Sequence, residues 1–238
     1  MIYLDNSATT RVFPEAAETA RKYMLDTYFN PSAAYAPSVA AERELTAARG
    51  RLASCMHAAS DEMIYTSGGT ESNNMALFGT LNARKTKGRI IISAVEHPSL
   101  YEPANRLANS GYDVALAPVT AAGSVDMTAL ASLITPNTAL ISMMHVNNET
   151  GAINDLGAIA SLVRMRAPEA VFHSDGIQAF CKLPFDALPC DMYSISGHKF
   201  HAPKGVGALY VNRDVRFAGG QIGGGQERNL RSGTENMP

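Results

Sequence analysis

Short, almost wholly apolar strand patterns alternate with helical patterns along most of this chain, and that alternation restricts the folds open to it. The run RIIISA at 89–94 is strongly β-branched, which predicts a strand buried on both faces. Strands without a polar face need helices on both sides, and helical connections join such strands in parallel. We therefore predict an α/β fold with a mainly parallel, seven-stranded sheet covered by helices.

The predicted elements follow one another without an internal repeat, a low-complexity tract or a long linker. Strands are predicted at 63–67, 89–94, 113–119, 139–146, 170–175, 192–196 and 206–211. Helices are predicted at 38–57, from about Thr70 onwards, and at 98–109, 127–134 and 155–166. Ser38 is a candidate N-cap for the first of these helices, and Asp126 and Asp155 are candidates for the last two.

The composition excludes several functional classes. Of the 238 residues 46% are hydrophobic and 18% are charged, so the chain can bury a core and is not expected to be disordered. Twenty basic residues face 22 acidic ones, which disfavours a nucleic-acid partner held by bulk charge. No apolar run approaches the ~18 residues of a membrane span, so no membrane partner is expected. Three cysteines without a CxxC pair predict a reducing compartment, most simply the cytoplasm.

Polar groups follow several predicted strands, at the edge where open α/β sheets bind ligands. Gly68-Gly69-Thr70 precedes a helix and could cradle a phosphate, although an ordinary tight turn explains it equally well. His97 could act as a base, stack on a ring or merely begin a helix. Asp175 and Lys199 each follow a further strand pattern.

Together these residues supply a phosphate cradle, a carboxylate, a ring-shaped side chain and a lysine at one end of one sheet. Pyridoxal 5'-phosphate (PLP) requires such a set: a lysine amine for its aldehyde, an acid against its ring nitrogen and an anchor for its phosphate. The residues thus point to a PLP site. No metal site is expected, because no third ligand accompanies His198 and His201, or His173 and Asp175, at a suitable spacing.

A more specific signal comes from seven strings that occur across residues 3–236: YLDNSATT, TSGGTESNN, EHPS, MHVNNETG, HSDGIQA, SGHKFHAPKGVGALYV and GGGQERNLRSGTEN. They closely resemble the cysteine desulfurase branch of the class V aminotransferase family. The resemblance implies a PLP-dependent, aspartate-aminotransferase-like large domain that removes sulfur from L-cysteine, giving alanine and a protein persulfide. Selenocysteine lyase or another class V activity stays open, as does a PLP-binding fragment without catalysis.

The resemblance also implies roles for individual residues. Lys199 matches the lysine that binds the cofactor covalently and moves the substrate proton. His97 matches the histidine that stacks on the cofactor ring and takes part in proton transfer. Asp175 matches the acid paired with the ring nitrogen, and Gln178 matches the donor to the ring hydroxyl.

The remaining matches concern the phosphate and the neighbouring subunit. Phosphate-side contacts are matched by Gly69, Thr70, Ser196 and His198. Asn148 matches a contact near the ring hydroxyl. Thr234 matches a threonine that reaches the phosphate of the neighbouring subunit, so the resemblance implies a homodimer with composite active sites.

The family pattern divides the chain into an N-terminal arm, residues 1–12, and a PLP-binding large domain, residues 13–238. A C-terminal small domain is expected to be absent, since no strong element pattern follows Ile222. The family's nucleophilic cysteine lies on a loop of that missing part. Its sulfur would pass to an acceptor protein, with iron–sulfur cluster assembly as one destination.

The cysteines of this chain do not match the nucleophile. Cys55 is predicted to be a core residue of the helix at 38–57. Cys181 is predicted to be a packing residue of low reactivity, and Cys190 has no assigned role.

Overall fold

The computed structural model describes residues 2–184 and 187–238, and a seven-stranded sheet runs through them. Its strands are β1 Met63–Thr66, β2 Arg89–Ser93, β3 Val114–Ala117, β4 Thr138–Ser142, β5 Val171–Asp175, β6 Met192–Ser196 and β7 Gly207–Val211. They lie in the order β1-β7-β6-β5-β4-β2-β3. Strand β7 pairs antiparallel with both of its neighbours, and the other pairs are parallel. The predicted α/β fold with a mainly parallel seven-stranded sheet is confirmed.

The described residues form six α-helices: α1 Pro14–Leu25, α2 Ala36–Ser54, α3 Gly69–Asn82, α4 Pro98–Asn109, α5 Met127–Leu133 and α6 Leu156–Arg166. Asp126 and Asp155 cap α5 and α6 as predicted, because each side chain accepts a hydrogen bond from the first turn of its helix. The sequence pattern does not predict α1, although Pro14 at its first position is typical of a helix start. None of the described helices combines the length and apolar character needed to cross a membrane.

Helix α2 differs from its prediction at both ends. It begins at Ala36 with Tyr35 as its N-cap, so Ser38 lies inside the helix and does not cap it. Its last residue is Ser54, which leaves Cys55 as an exposed C-cap residue. The prediction that Cys55 belongs to the core is therefore wrong. The helix lies at the surface, and its few buried positions carry only small side chains.

Both faces of the sheet are buried. Along β2, Ile91 packs beside Ile141 in a cluster that includes residues of α5 and α6. Its neighbours Ile90 and Ile92 belong to a second cluster with residues of α3 and α4. Successive side chains of a strand point to opposite faces, so a strand covered on both sides has apolar residues throughout.

The topology brings the ends of most strands to one edge of the sheet. Strands β1 and β6 are each antiparallel to β7 and therefore run parallel to one another. The carboxyl ends of β1, β2, β4, β5 and β6 consequently share an edge, and the segments that follow these strands leave the sheet there.

Candidate active site

A cavity of about 410 Å³ lies at this edge. Nine of the ten predicted site residues line it: Gly69, Thr70, His97, Asn148, Asp175, Gln178, Ser196, His198 and Lys199. Thr234 is the exception, because it lines a separate cavity together with Tyr65 and Gly205. The segments after β1, β2, β5 and β6 therefore meet around one space, as expected for strand ends of a parallel sheet.

The N-terminus of α3 forms one wall of the cavity. Gly68 adopts a φ of +149°, a conformation that favours glycine, and no side chain caps the helix. The first N–H that donates back into the helix is that of Ser72, at 3.1 Å from the Gly68 carbonyl. The N–H groups of Gly69 and Thr70 thus have no intrahelical acceptor. A Cβ on Gly69 would lie 2.1 Å from Ile177 Cδ1, so a larger residue here would require the Ile177 side chain to shift. This wall is suited to a phosphate.

Asp175 ends β5 and contributes a buried carboxylate to the cavity. Its Oδ1 accepts a hydrogen bond from the Ile177 N–H at 2.9 Å, and its Oδ2 accepts one from Asn73 Nδ2 at 2.8 Å. Burial raises the pKa of Asp175, while these bonds and the charges of His97 and Lys199 oppose the rise. Within the described part of the chain, no ion pair involves Asp175.

Lys199 brings an amine to the same cavity from the short turn after β6. Its Nζ donates hydrogen bonds to the carbonyls of Ser7 and Ala8. Partial burial lowers the pKa of Lys199, and the negative charges of Asp175 and Asp5 work against that effect. A lysine with a lowered pKa is more readily available as a neutral nucleophile.

The N-terminal arm lies against these groups. The sequence analysis does not predict this contact. Gln178 Nε2 donates to the Ser7 carbonyl at 2.8 Å, so that one carbonyl receives both Gln178 and Lys199. The Thr10 N–H donates to the His198 carbonyl at 2.8 Å. Asp5 also lines the cavity. The string DNSATT is polar, as expected of a cavity wall, but only the structure shows that it lies there.

His97 precedes α4 and is its N-cap. Its Nδ1 lies 3.1 Å from the Ser99 N–H, which donates to it, and 2.8 Å from Ser99 Oγ. Ser99 Oγ in turn lies 2.8 Å from Asn73 Nδ2, whose other contact is Asp175. A chain of side chains thus joins His97 to Asp175. Asn73 and Ser99 are site residues that the sequence analysis misses.

A second buried carboxyl group, that of Glu96, lies beside the cavity. Its Oε1 accepts hydrogen bonds from the Met144 N–H at 2.7 Å and from Ser93 Oγ at 2.9 Å. No partner for Oε2 is found in the described residues. Burial, reinforced by the charge of Asp175, raises the pKa of Glu96 to about 8, so this group holds a proton at neutral pH.

The remaining predicted residues have ordinary partners. Asn148 Nδ2 donates to Glu149 Oε1 at 2.7 Å. His198 Nδ1 is hydrogen-bonded to Thr9 Oγ1 at 3.1 Å, and burial lowers the pKa of this histidine. Among the described residues, no cluster of three potential metal ligands is present.

None of the three cysteines is among the described residues that line the cavity. Cys190 is buried, whereas Cys181 is exposed. The prediction of Cys181 as a packing residue is therefore wrong; it lies in a surface turn with a φ of +61°. Partial burial nevertheless raises the pKa of the Cys181 thiol, and a protonated thiol is a poor nucleophile.

Comparisons with known proteins agree with this fold. A sequence profile of the Aminotransferase class-V family matches residues 2–236. A cysteine desulfurase of Trichormus azollae is 42% identical over 240 residues, which is all of this chain and 60% of that protein. A solved NifS-like protein superposes with a TM-score of 0.96 at 35% identity, over 99% of this chain and 66% of that one. A structure described as SspA in complex with cysteine superposes with a TM-score of 0.91 at 35% identity, over 100% of this chain and 69% of that one.

The chain belongs to the class V aminotransferase family. It spans about 60% of the length of the curated cysteine desulfurases that it matches. The residues around the cavity all lie within the matched part.

Proposed function

We propose that this chain is the PLP-binding large domain of a cysteine desulfurase, with residues 1–12 as an arm that also belongs to a further small domain. One observation carries the proposal: the amine of Lys199 and the buried carboxylate of Asp175 line a single cavity. The uncapped N-terminus of α3 completes it. An amine, an acid that forms no ion pair with the described residues, and free N–H groups are the three features that fit PLP.

When bound, PLP supplies an aldehyde for a lysine amine and a ring that accepts electrons from the substrate. In this proposal Lys199 is the attachment point and the group that carries a proton at Nζ. Asp175 holds a proton at the ring nitrogen, and its two neutral donors keep its carboxylate in place. The N–H groups of Gly69 and Thr70 would bind the phosphate, and Ser196 and His198 line the same cavity.

His97 and the two amides at the mouth of the cavity complete the proposed site. His97 would stack on the ring, and Gln178 and Asn148 would contact the side of the ring hydroxyl. Gln178 Nε2 is already directed to the Ser7 carbonyl, so binding would exchange or extend that contact.

For the substrate we propose L-cysteine, because the matched relatives are named cysteine desulfurases and one solved neighbour is described as a complex with cysteine. The nucleophilic cysteine and the sulfur acceptor lie outside this chain, since none of its three cysteines lines the cavity. We also propose a homodimer in the cytoplasm. In this dimer Thr234, which lines a separate cavity, would reach the phosphate of the neighbouring subunit.

Titration of the purified chain with PLP, followed by borohydride reduction, tests the cofactor site. We expect an absorption band near the visible range that borohydride removes, with the reduced adduct mapped to Lys199. Lys199→Ala should lose both the band and the adduct. Lys182→Ala is the matched control: this lysine contacts Gln178 at 2.8 Å but does not line the cavity. An adduct that persists in Lys199→Ala would refute the assignment.

A second assay tests the substrate. It uses this chain fused to the C-terminal part of a matched relative that the chain does not cover. With an added thiol to reduce the persulfide and release its outer sulfur as sulfide, alanine and sulfide should form from cysteine in a ratio of one to one. Turnover of selenocysteine but not of cysteine would favour the selenocysteine lyase alternative. Formation of the Lys199 adduct without turnover of any amino acid would leave PLP binding alone as the function.

A further inference from the structure

We propose that Asn73 and Ser99 are positioning residues that hold His97 in the tautomer with its proton on Nε2, and that they couple this choice to the carboxylate of Asp175. Each hydrogen bond in the series from Asp175 to His97 can run in only one direction. The consequence for catalysis rests on the proposed function.

The first step is the amide of Asn73. One atom, Nδ2, contacts both Asp175 Oδ2 and Ser99 Oγ, each at 2.8 Å. An ionised carboxylate only accepts, so the Asn73 group that faces it must be the NH2 group. Both hydrogens of that group are then used, one on Asp175 and the other on Ser99. The opposite atom, Oδ1, is buried without a partner among the described residues.

Flipping the amide would not satisfy this position, because the NH2 group would then lie where the oxygen has no partner. Flipping Asn73 would place its oxygen against the Asp175 carboxylate, and two acceptors at that distance repel one another. The carboxylate therefore keeps the amide in its observed orientation at the cost of one unsatisfied oxygen.

The second step is the hydroxyl of Ser99. Its oxygen accepts from Asn73, and its single proton remains for the other contact, His97 Nδ1 at 2.8 Å. The backbone N–H of Ser99 donates to the same nitrogen at 3.1 Å, which is also the N-cap bond of α4.

The third step follows for the imidazole. A nitrogen that accepts from both the hydroxyl and the backbone N–H of Ser99 carries no proton itself, so the proton of neutral His97 lies on Nε2. Among the described residues Nε2 has no hydrogen-bond partner, and the ring lines the cavity. His97 thus presents an N–H to whatever occupies the cavity, and in the proposed reaction it starts with its proton on that atom.

Nitrogen-15 NMR of the protein without PLP tests this series of hydrogen bonds directly. The chain is labelled at histidine only, and the resonances of His97 are assigned by their loss in His97→Asn, which keeps a side-chain acceptor for the helix cap. In the unsubstituted chain at neutral pH we expect Nδ1 to give a non-protonated resonance and Nε2 a protonated one. A protonated Nδ1 would overturn the proposal.

Variants then test each hydrogen bond of this series in turn. Ser99→Ala removes one oxygen and is the deciding variant: the Nδ1 resonance should move towards that of a nitrogen without a hydroxyl donor, and the ratio of the two tautomers should change by about two- to tenfold, the effect of one hydrogen bond. Asn73→Ala should produce a change in the same direction, because it frees the Ser99 hydroxyl to rotate.

Asn74→Ala is the control. Asn74 Nδ2 donates to the backbone carbonyl of Ser99 at 3.1 Å, so Asn74 takes no part in the hydrogen bonds that join His97 to Asp175. His97 resonances that respond equally to Asn74→Ala and Ser99→Ala would contradict the proposal. Because these spectra are recorded without PLP, their outcome is independent of whether the proposed cofactor and reaction are correct.

Discussion

Two regions of the molecule bury carboxyl groups in opposite ways. In the C-terminal segment, Glu227 forms a bidentate pair with Arg49, at 2.6 and 2.8 Å, and also accepts from the Tyr65 N–H at 3.1 Å. At the cavity, Asp175 and Glu96 are as deeply buried, with 5% and 7% of their surface exposed against 8% for Glu227. Within the described part of the chain, both accept only from neutral donors.

The difference separates a structural use of charge from a functional one. The Arg49–Glu227 pair fixes a segment in which three consecutive residues, Glu227–Asn229, have φ values of 48° to 65°, a conformation that is unfavourable outside glycine. Among the described residues, the carboxyl groups at the cavity form no ion pair, and burial raises the pKa of both Asp175 and Glu96. Such groups remain sensitive to protons and to any positively charged group that enters.

The largest effect is expected from breaking the paired region. Glu227→Ala leaves the half-buried guanidinium of Arg49 without its carboxylate partner, and loss of one member of a buried pair costs about 3–5 kcal/mol. Urea unfolding followed by circular dichroism measures the change in the free energy of unfolding. Arg21→Ala is the control: it removes an exposed pair with Glu18 on α1, which contributes about 0–1 kcal/mol. Equal losses in the two variants would contradict the contrast between the regions.

The unpaired region should instead respond to pH. The pKa of Glu96 rises from 4.5 to about 8 on folding, so between these values the folded chain holds a proton that the unfolded chain has lost. Stability therefore falls as the pH rises, by about 1.4 kcal/mol per pH unit. Glu96→Gln removes this slope, so relative to the unsubstituted chain it should gain about 3 kcal/mol between pH 5.5 and 7.5. Urea unfolding at both pH values checks this; a constant difference between the two chains would disprove the assignment.

The strand ends explain why much of the site could be predicted from sequence. Asp175, His97 and Lys199 each lie at or just after a strand whose apolar pattern is local and easy to detect. A parallel sheet brings such positions together without further information. The same locality explains the confirmed helix caps Asp126 and Asp155, which bond residues two or three positions ahead.

The parts that sequence reasoning missed depend on long-range contacts. Ser7 meets Lys199 across 192 positions, and Asn73 meets Asp175 across 102. Nothing in the local pattern of either segment identifies its partner. Cys55 illustrates the converse error, because a helical apolar pattern alone does not reveal that α2 lies at the surface.

A third prediction concerns a buried histidine near the cavity, which shows the opposite pH dependence. His173 bonds Ser142 Oγ and Ser194 Oγ at 2.8 and 2.9 Å, and burial lowers its pKa from 6.5 to about 3. Below pH 6.5 the unfolded chain binds a proton that the folded chain does not, so stability falls as the pH falls. Between pH 6.5 and 5 the loss should be about 2 kcal/mol.

His173→Asn is the variant that tests it. Asparagine keeps hydrogen-bonding capacity but does not titrate, so the variant should be less stable at pH 7 yet lose less stability on acidification. Urea midpoints at pH 7, 6 and 5 give both quantities. If the acid slopes of the two chains are parallel, His173 is not the group responsible.

The smallest effect is expected at the surface, for a carboxylate that also accepts from neutral donors but is not buried. Asp126 Oδ1 accepts from the N–H groups of Thr128 and Ala129 at 2.9 and 3.0 Å, the same kind of donors that hold Asp175. Asp126→Ala should cost about 1 kcal/mol, the usual effect of losing an N-cap. Asp126→Asn retains the acceptor and should recover most of that loss. Thermal unfolding of the three chains distinguishes the contributions: failure of asparagine to recover stability would mean that the negative charge at the start of α5, rather than the hydrogen bonds, stabilises the helix.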